Sequence, residues 1–573
     1  MAKEWVIKKR QAVGPLVPDY ERDVHDPFLM QDMKKAVTRI LKAVEKDERV
    51  MIFADYDADG VPGAAILSIF FNKIGFTNFS IYLPDRHLED YGLSGVAIDQ
   101  AKADGVTLLI TIDCGIANAK EVTYAKKLKI ETIVTDHHLV PAEMPKAVAV
   151  LDPKREDCNY PFKELCGAGV VYKLVQALAS QLQLRSPKDF LGSSEAIPRT
   201  LENLPTTLLL VGWEKWLLDL VAIATVSDMV PLVGENRALV HFGLKVLRKS
   251  PRPGVVELCR ALRIKQEKLM EDDIAFSIGP RINAASRMAH AREAFELLTT
   301  EDAAVAATIA NRLEKLNKER RKCVDEILLV TTREFSNGLG IFSEDLSKTS
   351  GYQKSPLVVI GHESWSLGVL GLTASRLVEK YRCPVFIWGK NGNGVIKGSC
   401  RSDGSINVVE LMRGVGEDFF LNIGGHHHAG GFSLHQDRLP ELESRLLTAF
   451  ATLDKKILEE ELEIDREIEL EQVTSNFYQE LYKLSPFGIG NPKPLFLFSK
   501  IKIIEMRAFG NGEAHLELVL PNKLKAISFF NTFPDLDLQA GQTINLAASI
   551  EQSFFRSNGE LRLRIVDLKR VFI

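Results

Sequence analysis

The sequence lacks long apolar runs and has few cysteines, and both absences narrow its class. Its longest candidate apolar stretch, Leu217 to Val226, falls short of the roughly 20 apolar residues that a membrane-spanning helix needs. The start, Met1 to Trp5, lacks the apolar core of a secretory signal. The seven cysteines contain no CxxC pair, so they fit neither a disulfide scaffold nor a thiolate zinc site. We therefore expect a cytoplasmic protein without membrane contact.

A strong excess of one charge is also missing. The chain has 72 Lys and Arg against 76 Asp and Glu, a net charge of −4, so bulk electrostatics gives no sign of a nucleic-acid partner. Residues 486–573 differ, with eleven Lys or Arg, eight acids and ten of the 29 phenylalanines. Turns such as Gly510 to Gly512 and Ser557 to Gly559 separate short strands there, which predicts a small β-barrel. Before it, Leu462 to Leu470 alternates apolar and charged residues as a half-exposed strand does.

At 573 residues, the chain is too long for one core and predicts three or four domains. Short apolar runs alternate with helical stretches between Arg49 and Leu151, which indicates an α/β domain with a buried parallel sheet. Helical periodicity follows, and a second alternating region has strands near 356–360 and 384–388. The predicted units are an N-terminal segment (1–45), an α/β domain with a helical part (46–299), a long connecting helix (300–336, centred on Thr300 to Glu334), a second α/β lobe (337–455) and the C-terminal β-barrel (456–573).

The strongest local signal is the acidic loop Asp55-Tyr-Asp57-Ala-Asp59-Gly60, which directly follows a predicted strand. Its three carboxylates repel one another unless a cation neutralises them. A calcium loop of the EF-hand type needs a glutamate at the twelfth position, where this chain has Ile66. A divalent-cation site is therefore the preferred interpretation, with a solvated acidic turn as the alternative.

Two further predicted strands end in acids, at Asp113 and at Asp136-His137-His138. In an open parallel sheet the ligand site lies beyond the carboxyl ends of the strands, so these residues should converge with the acidic loop. Carboxylates with a neutral imidazole suit manganese or magnesium, and two such ions are a common device for phosphoryl displacement. The sequence thus predicts phosphoester hydrolysis, with His137 as a ligand.

Two other features suggest phosphate binding. Arg86 follows a predicted strand and could bind phosphate through its planar fork, although an ordinary surface ion pair is an equal alternative. The glycine clusters Gly167 to Gly169 and Gly424 to Gly431 match neither nucleotide-binding fingerprint. Glycines on both sides of the triple histidine suggest that His426 and the backbone approach a bound phosphate closely, with a chance metal-binding tract as the alternative.

Together, these motifs resemble the DHH phosphoesterase superfamily. Further matches, in their order along the chain, resemble its RecJ exonuclease family over roughly residues 45–573: Pro84-Asp-Arg86, Cys166 to Val170, Ala224 to Leu232, Pro280 to Arg287, Gly368 to Gly371, Lys397 to Ser402, Gly424 to His426 and Pro486 to Pro492. The chain departs from the family pattern at Asp90 and Ser286, where glycine is usual, and at Pro62, where a hydroxyl residue is common.

The resemblance implies a DHH domain and a DHH-associated domain facing each other across a cleft, joined by a long helix, with a C-terminal OB fold. It implies two manganese or magnesium ions, with Asp113 bridging them, and a catalytic group of Asp113, Asp136, His137 and His138. The implied metal ligands are Asp55, Asp57, Asp59, Asp113, His137 and Asp228. The implied contacts to DNA and its 5′ phosphate are Arg86, Arg281, Asn283, Arg287, Ser399, Arg401 and His426.

The implied activity is 5′ to 3′ hydrolysis of single-stranded DNA to 5′ mononucleotides, in DNA repair and recombination. The family suggests a monomer that works with a RecQ-type helicase and a single-strand-binding protein. Two alternatives stay open: a phosphodiesterase for short oligonucleotides or cyclic dinucleotides, and a non-catalytic scaffold. An OB-type tail argues against the first, and the retained ligand set argues against the second.

Overall fold

The computed structural model describes residues 4–10, 16–89, 91–183, 209–336, 356–390, 394–416, 418–454, 461–533, 536–553 and 559–571. These residues form two α/β lobes, a helical layer that includes a long connecting helix, and a C-terminal β-domain. Within them, no helix is both long and apolar enough to span a membrane.

The first lobe contains a five-stranded parallel sheet, as the sequence predicts. Every residue of its two central strands is buried, because helices cover both faces of the sheet. Their almost entirely apolar sequences suit strands that are buried on both faces. In the order β3-β2-β4-β5-β6, the strands are β2 (Val50–Ala54), β3 (Phe79–Tyr82), β4 (Leu108–Ile112), β5 (Glu131–Thr135) and β6 (Ala149–Leu151). The helices are α3 (Gly60–Lys73), α4 (Gly95–Ala103), α5 (Ala119–Lys127) and α6 (Gly167–Gln183).

The N-terminal segment joins two parts of the molecule, which the sequence interpretation did not anticipate. Strand β1 (Glu4–Ile7) pairs in parallel with β12 (Glu461–Ile464), which precedes the C-terminal domain. After the short helix α1 (Tyr20–Asp23), helix α2 (Met33–Glu45) buries Met33 and Ile40 in the core of the first lobe. The amphipathic pattern of α2 explains this packing.

The helical layer follows the first sheet, and its last helix leads to the second lobe. A turn at Glu271–Asp273 continues as a π-helix over Ile274–Ile278. The connecting helix α12 spans Ala303–Ser336, three residues later at its start than predicted. The other helices are α7 (Leu218–Ser227), α8 (Gly234–Leu247), α9 (Pro253–Leu262), α10 (Gly279–Met288) and α11 (Arg292–Thr299).

The second lobe is a mixed five-stranded sheet with its own core, which confirms the prediction of a second α/β unit. In the order β10-β11-β9-β8-β7, its strands are β7 (Val358–Gly361), β8 (Val385–Lys390), β9 (Val395–Arg401), β10 (Asn422–His426) and β11 (Ala429–His435). Its helices are α13 (Leu367–Tyr381), α14 (Val408–Gly414) and α15 (Leu442–Thr452).

The C-terminal domain is a seven-stranded sheet preceded by α16 (Ser475–Tyr482). In the order β13-β14-β18-β19-β17-β16-β15, its strands are β13 (Arg466–Glu467), β14 (Phe496–Lys502), β15 (Glu505–Phe509), β16 (His515–Val519), β17 (Lys525–Ser528), β18 (Thr543–Ser553) and β19 (Glu560–Arg570). The strand expected over 462–470 is divided at Asp465, which exchanges hydrogen bonds with Leu495. The turn at 510–512 is confirmed, whereas Ser557 and Asn558 of the other predicted turn lie outside the described residues.

Candidate metal centre and phosphate-binding cleft

The acids at the strand ends converge, as the sequence predicts. Asp55, Asp113 and Asp136 follow β2, β4 and β5, which are neighbours in the sheet, and all three are buried. The pairing continues just past the strands, because the Asp55 amide donates to the Ile112 carbonyl and the Asp113 amide to the Thr135 carbonyl. Asp113 then adopts a φ of 60°, a left-handed conformation that few non-glycine residues take. The sheet edge thus holds the central carboxylate in a strained position, as is common at functional sites.

The start of α6 fixes two of the carboxylates. Asp59 accepts hydrogen bonds from the backbone amides of Gly167 and Ala168, at 2.6 and 2.7 Å, so the helix N-terminus holds this anionic side chain. Gly167 also packs directly on Asp113, where a Cβ atom on the glycine would lie 2.6 Å from the Asp113 Cβ. The glycine cluster of the sequence is therefore explained by a close approach to the carboxylates, and only glycine fits at position 167.

The acidic loop is held by its own backbone and by a side chain from α10. Asp57 Oδ1 accepts from the amides of Asp59 and Gly60, at 2.8 and 3.1 Å. The Ala58 amide donates to Asn283 Oδ1 at 3.0 Å. Asn283, expected at the DNA, thus uses its carbonyl oxygen to position the loop that carries the carboxylates.

His137 lies at the centre of the acidic cluster. Its Nε2 is 3.1 Å from Asp113 Oδ1 and 3.7 Å from both Asp59 Oδ2 and Asp228 Oδ2. Ligand atoms within 4.8 Å of one another form three overlapping groups of three residues. These groups are Asp55, Asp57 and Asp113; Asp59, His137 and Asp228; and Asp113, His137 and His138. Asp113 belongs to two groups, an arrangement that suits a ligand shared by two ions.

The protonation properties of this cluster fit divalent cations. Burial and the charges of Asp59 and Asp57 raise the pKa of Asp113 well above its usual value. The same two causes raise the pKa of Asp228 to about 9, and burial with the Asp57 charge raises that of Asp59 to about 6. Burial lowers the pKa of His137 to about 3, which keeps its imidazole neutral and able to ligate. Cations at this site would remove the repulsion among the carboxylates.

Unsatisfied atoms support the same conclusion. Asp55 Oδ1, Asp113 Oδ1 and both ring nitrogens of His137 are buried and make no hydrogen bond within the described part of the chain. Buried polar groups normally have partners, because an unpaired one costs about 1–3 kcal/mol. Oxygen donors with one imidazole are the set that Mn²⁺ and Mg²⁺ accept, so the residues fit such ions.

Asp136 orients the second histidine. Its Oδ1 accepts from the His138 amide and lies 2.7 Å from His138 Nδ1, while its Oδ2 accepts from the Ile116 amide. Burial acts to lower the pKa of His138, but the hydrogen bond with Asp136 acts to raise it, and the pKa lies above its usual value. Tyr91 completes the arrangement: its hydroxyl donates to the Asp113 carbonyl at 3.0 Å and lies 3.3 Å from His138 Nε2. Sequence reasoning missed Tyr91, although it neighbours the noted position 90, which lies outside the described residues.

Basic groups from both lobes lie beside the cluster. The Arg86 guanidinium lies over the Tyr56 ring at 4.9 Å. Arg287 donates from Nη1 to the Gly368 carbonyl, and its pKa is lowered to about 9 by burial and by the charges of Arg86 and Arg320. Burial lowers the pKa of Arg401. The charge of Cys400 acts to raise this pKa, and the charge of Arg86 acts to lower it further. Arg86 thus lies close enough to Arg287 and to Arg401 to lower the pKa of both, and guanidinium groups placed in this way suit an anion.

Strand β9 supplies two of the expected contacts on one face. Ser399 and Arg401 alternate along it, and both side chains lie beside Gly371, where a Cβ atom would come within 2.9 Å of Arg401 Nη2. His426 is exposed at the neighbouring hairpin, where it pairs with Ala429, which in turn pairs with Arg401.

Local contacts explain three further residues that the sequence analysis singled out. Arg281 pairs with Glu314 at 2.9 Å and donates to the Ser277 carbonyl, so its side chain is engaged within the helical layer. Ser286 fits where the family has glycine because it is buried and its hydroxyl donates to the Asn283 carbonyl. Pro62 lies in the first turn of α3, where proline is tolerated.

Comparisons with known proteins agree with this geometry. Residues 49–201 match the DHH family, N-terminal domain, residues 354–452 the DHHA1 domain and residues 464–567 the RecJ OB domain. The single-stranded-DNA-specific exonuclease RecJ of Escherichia coli is 31% identical over 94% of this chain and 90% of that protein. The RecJ of Bacillus subtilis is 34% identical over 88% of this chain, which spans only 58% of the Bacillus protein.

Solved structures give the same result. A crystal structure of Thermus thermophilus RecJ with Mn²⁺ superposes with a TM-score of 0.74 at 27% identity, covering 95% of this chain and 72% of that one. A structure of the same protein with Mg²⁺ gives a TM-score of 0.68. The fold and its carboxylate centre therefore define a metal-dependent phosphoesterase of the DHH class. Within that class, the chain belongs to the RecJ family of single-stranded-DNA-specific exonucleases.

Proposed function

We propose that this chain hydrolyses single-stranded DNA from the 5′ end and releases 5′ mononucleotides. One observation carries the proposal: the buried carboxylate–imidazole cluster lies beside three guanidinium groups, Arg86, Arg287 and Arg401, that come from both lobes. An anion held by these groups is limited to a short distance from the cluster. A terminal 5′ phosphate in that position would leave the next phosphodiester bond at the carboxylates.

The proposed metal ligands are Asp55, Asp57, Asp59, Asp113, His137 and Asp228, with Mn²⁺ or Mg²⁺ as the ions. When bound, two such ions would lower the pKa of a water molecule and offset charge on the phosphoryl oxygens. The chain's own residues supply the rest of the chemistry. His138 keeps Nδ1 on Asp136 and presents Nε2 beside Tyr91, where it can donate a hydrogen bond to the scissile phosphate. Asp136 acts as the positioning residue for that ring.

The phosphate contacts would be divided between the lobes. Arg86 and Arg287 belong to the first lobe and its helical layer, and Ser399, Arg401 and His426 to the second. In this proposal Arg281 and Asn283 act indirectly, since Glu314 and the Ala58 amide already engage their side chains. The domains we propose are 46–299 for the DHH part, 300–336 for the connecting helix, 337–455 for the DHH-associated lobe and 456–573 for the OB domain, preceded by a segment of 45 residues.

The C-terminal domain offers a surface for the rest of the strand. Phe509, His515, Phe529 and Phe530 form a ring cluster with centroid distances of 4.8–6.3 Å, and Phe530 is largely exposed. The Arg564 guanidinium lies over Phe529 at 4.0 Å. Aromatic rings combined with arginine are how OB folds hold single strands without reading sequence.

The biological setting is part of the proposal. We infer a monomeric, cytoplasmic enzyme of DNA repair and recombination that uses strands produced by a RecQ-type helicase and shares them with a single-strand-binding protein. The described cysteines are all free, which agrees with a reducing compartment.

The test is digestion of a long single strand labelled at its 5′ or its 3′ end, in Mn²⁺, in Mg²⁺ and in chelator. Early release of the 5′ label as a mononucleotide, absent with duplex or chelator, is the expected result. Attack on short oligomers alone would favour the small phosphodiesterase, and binding without cleavage would favour the scaffold. Either outcome would overturn the proposal.

A further inference from the structure

Three large apolar side chains are exposed where the helical layer meets the C-terminal domain. Met229 is 66% exposed, Phe276 72% and Ile489 49%. We call these three residues the apolar ledge. Single exposed apolar residues are normal on a protein surface, but several of them on adjoining segments mark a binding surface.

Met229 connects the ledge to the metal centre through the chain itself, because it directly follows the proposed ligand Asp228. Its φ of 62° is left-handed, a conformation that a long unbranched side chain seldom adopts. The conformation brings no burial in return, since Met229 remains exposed. Strain of this kind beside a functional carboxylate points to a role in ligand binding.

Phe276 is held close to the same place by an unusual helical turn. It lies in the π-helix Ile274–Ile278, and such turns are rare and concentrate at functional sites. The next residue after that turn, Gly279, packs so closely on Ser227 that an added Cβ would lie 2.3 Å from the Ser227 Oγ. Ser227 precedes Asp228, so Phe276 lies within about one helical turn of a contact with the metal-ligand segment.

Ile489 comes from a rigid loop that ties the other two segments together. The Leu232 amide donates to the Ile489 carbonyl at 2.7 Å, and the Phe487 amide donates to Glu271 Oε1 at 3.1 Å. The buried Asn491 fixes this loop by donating to the carbonyls of Leu484 and Pro486. The backbone at Ile489 is therefore fixed against the segment that follows Met229.

The ledge lies between the metal centre and the C-terminal domain. Met229 directly follows the proposed ligand Asp228, and the carbonyl of Ile489, in the C-terminal domain, accepts from the amide of Leu232. A strand that is cleaved at the carboxylates and held by the C-terminal domain would therefore pass Asp228. The first nucleotides beyond the cleavage point would then cross Met229 and Phe276.

We infer that the apolar ledge binds the nucleobases of the nucleotides just 3′ of the scissile bond, with Phe276 stacking on one base. This inference rests on the proposed function and extends it. Every base has an apolar face, so the contact tolerates any sequence. A duplex hides its base faces in its own stack and cannot make the contact, so the ledge would contribute to the preference for single strands. A protein partner on the same surface would block the exit of the strand.

The test is a scan with abasic nucleotides. The strands carry a 5′ phosphate, and their first linkages cannot be hydrolysed. Each strand has a single abasic site, which lies one position further from the 5′ end in each successive strand. Binding of every strand is measured in Mg²⁺ for wild type, Phe276→Ala and Phe276→Trp. For wild type we expect one position near the 5′ end where the abasic site weakens binding about tenfold, the loss of one stacking contact. Phe276→Ala should weaken the intact strand similarly and remove that position effect, and Phe276→Trp should retain it. Trp216→Ala is the matched control, because this exposed aromatic residue (54%) precedes α7 whereas Met229 follows it.

Each outcome separates the ledge from the underlying function. If wild type releases 5′ mononucleotides but Phe276→Ala keeps the full abasic effect, the ledge inference is wrong and the proposed function stands. If wild type shows no 5′ release, the proposed function itself has failed. If Phe276→Ala and Met229→Ala bind DNA normally but abolish a concentration-dependent dimer, the surface belongs to a second copy and the inference is overturned.

Discussion

His137 Nε2 lies 3.1 Å from Asp113 Oδ1, and neither atom has a hydrogen-bond partner among the described residues. A neutral imidazole whose neighbour is a buried carboxylate oxygen would normally donate a hydrogen bond to it. Asp59 Oδ2 and Asp228 Oδ2 also lie 3.7 Å from the same ring nitrogen. The pair is explained by a shared cation.

Divalent metal should stabilise the fold more at alkaline than at acid pH. The pKa of Asp59 is raised to about 6 and that of Asp228 to about 9. A raised carboxyl pKa contributes stability below its unfolded value of about 4, and this stability is lost as pH rises through the folded value. Metal replaces the lost protons, so the gain in Tm on adding Mg²⁺ should be several degrees larger at pH of about 8.5 than at about 6. Thermal scans with Mg²⁺ and with chelator measure it, and an equal gain at both pH values would argue against the site.

Asp136→Asn should reduce activity without emptying the metal centre. The amide keeps the size of the carboxylate but loses the charge that holds His138 Nδ1. We expect a 10- to 100-fold fall in kcat, as for other residues that orient a functional histidine, with the Tm gain on metal largely preserved. Asp104→Asn, at an exposed helix end, serves as the control. If Asp136→Asn kept the kcat of wild type, the proposed role of His138 in the mechanism would be wrong.

Two glycine substitutions in α6 should have very different effects. A methyl group at Gly167 would lie 2.6 Å from the Asp113 Cβ, whereas at Gly169 the nearest atoms are 3.6 Å away. Gly167→Ala should therefore displace Asp113 and cost at least tenfold in activity. Gly169→Ala should stay within about threefold of wild type and gain slightly in stability, since alanine favours helix. Activity and unfolding curves for both proteins decide the matter; similar activities would mean that Asp113 tolerates movement.

Arg401→Ala should remove the preference for a 5′ phosphate. Wild type is expected to degrade 5′-phosphorylated strands faster than 5′-hydroxyl strands, and the variant should treat them alike because one anion contact is missing. The slope of the logarithm of the DNA-binding constant against the logarithm of the salt concentration should become less steep by about one unit. Arg401→Lys should restore only part of the preference, since lysine cannot bind in the planar bidentate manner. An undiminished preference in Arg401→Ala would place the phosphate elsewhere.

Much of the centre is predictable from the sequence because it depends on strand topology. Asp55, Asp113 and Asp136 each follow an apolar strand, and parallel strands bring their carboxyl ends to one edge. His137 was expected as a ligand for the same reason. The two α/β lobes were likewise visible in the alternation of apolar runs. The long helix was visible in its helical periodicity, and the C-terminal sheet in its phenylalanines and turns.

The rest depends on contacts between segments that are distant along the chain. No local pattern shows that Asn283 accepts from the Ala58 amide, or that Arg281 is engaged by Glu314. The same holds for the pairing of β1 with β12, which joins residues more than 450 positions apart. A tyrosine such as Tyr91 carries no signal in the sequence for contact with the Asp113 carbonyl.

The most direct test of the account is single-turnover digestion of a 5′-labelled single strand by Asp113→Ala in saturating Mn²⁺. Asp113 is the carboxylate shared by two of the three ligand groups, so its loss should abolish release of the labelled mononucleotide while single-strand binding remains near wild type. Circular dichroism would establish that the variant is folded. Release of the 5′ mononucleotide by folded Asp113→Ala at a rate close to wild type would contradict the assignment of this cluster as the catalytic metal centre.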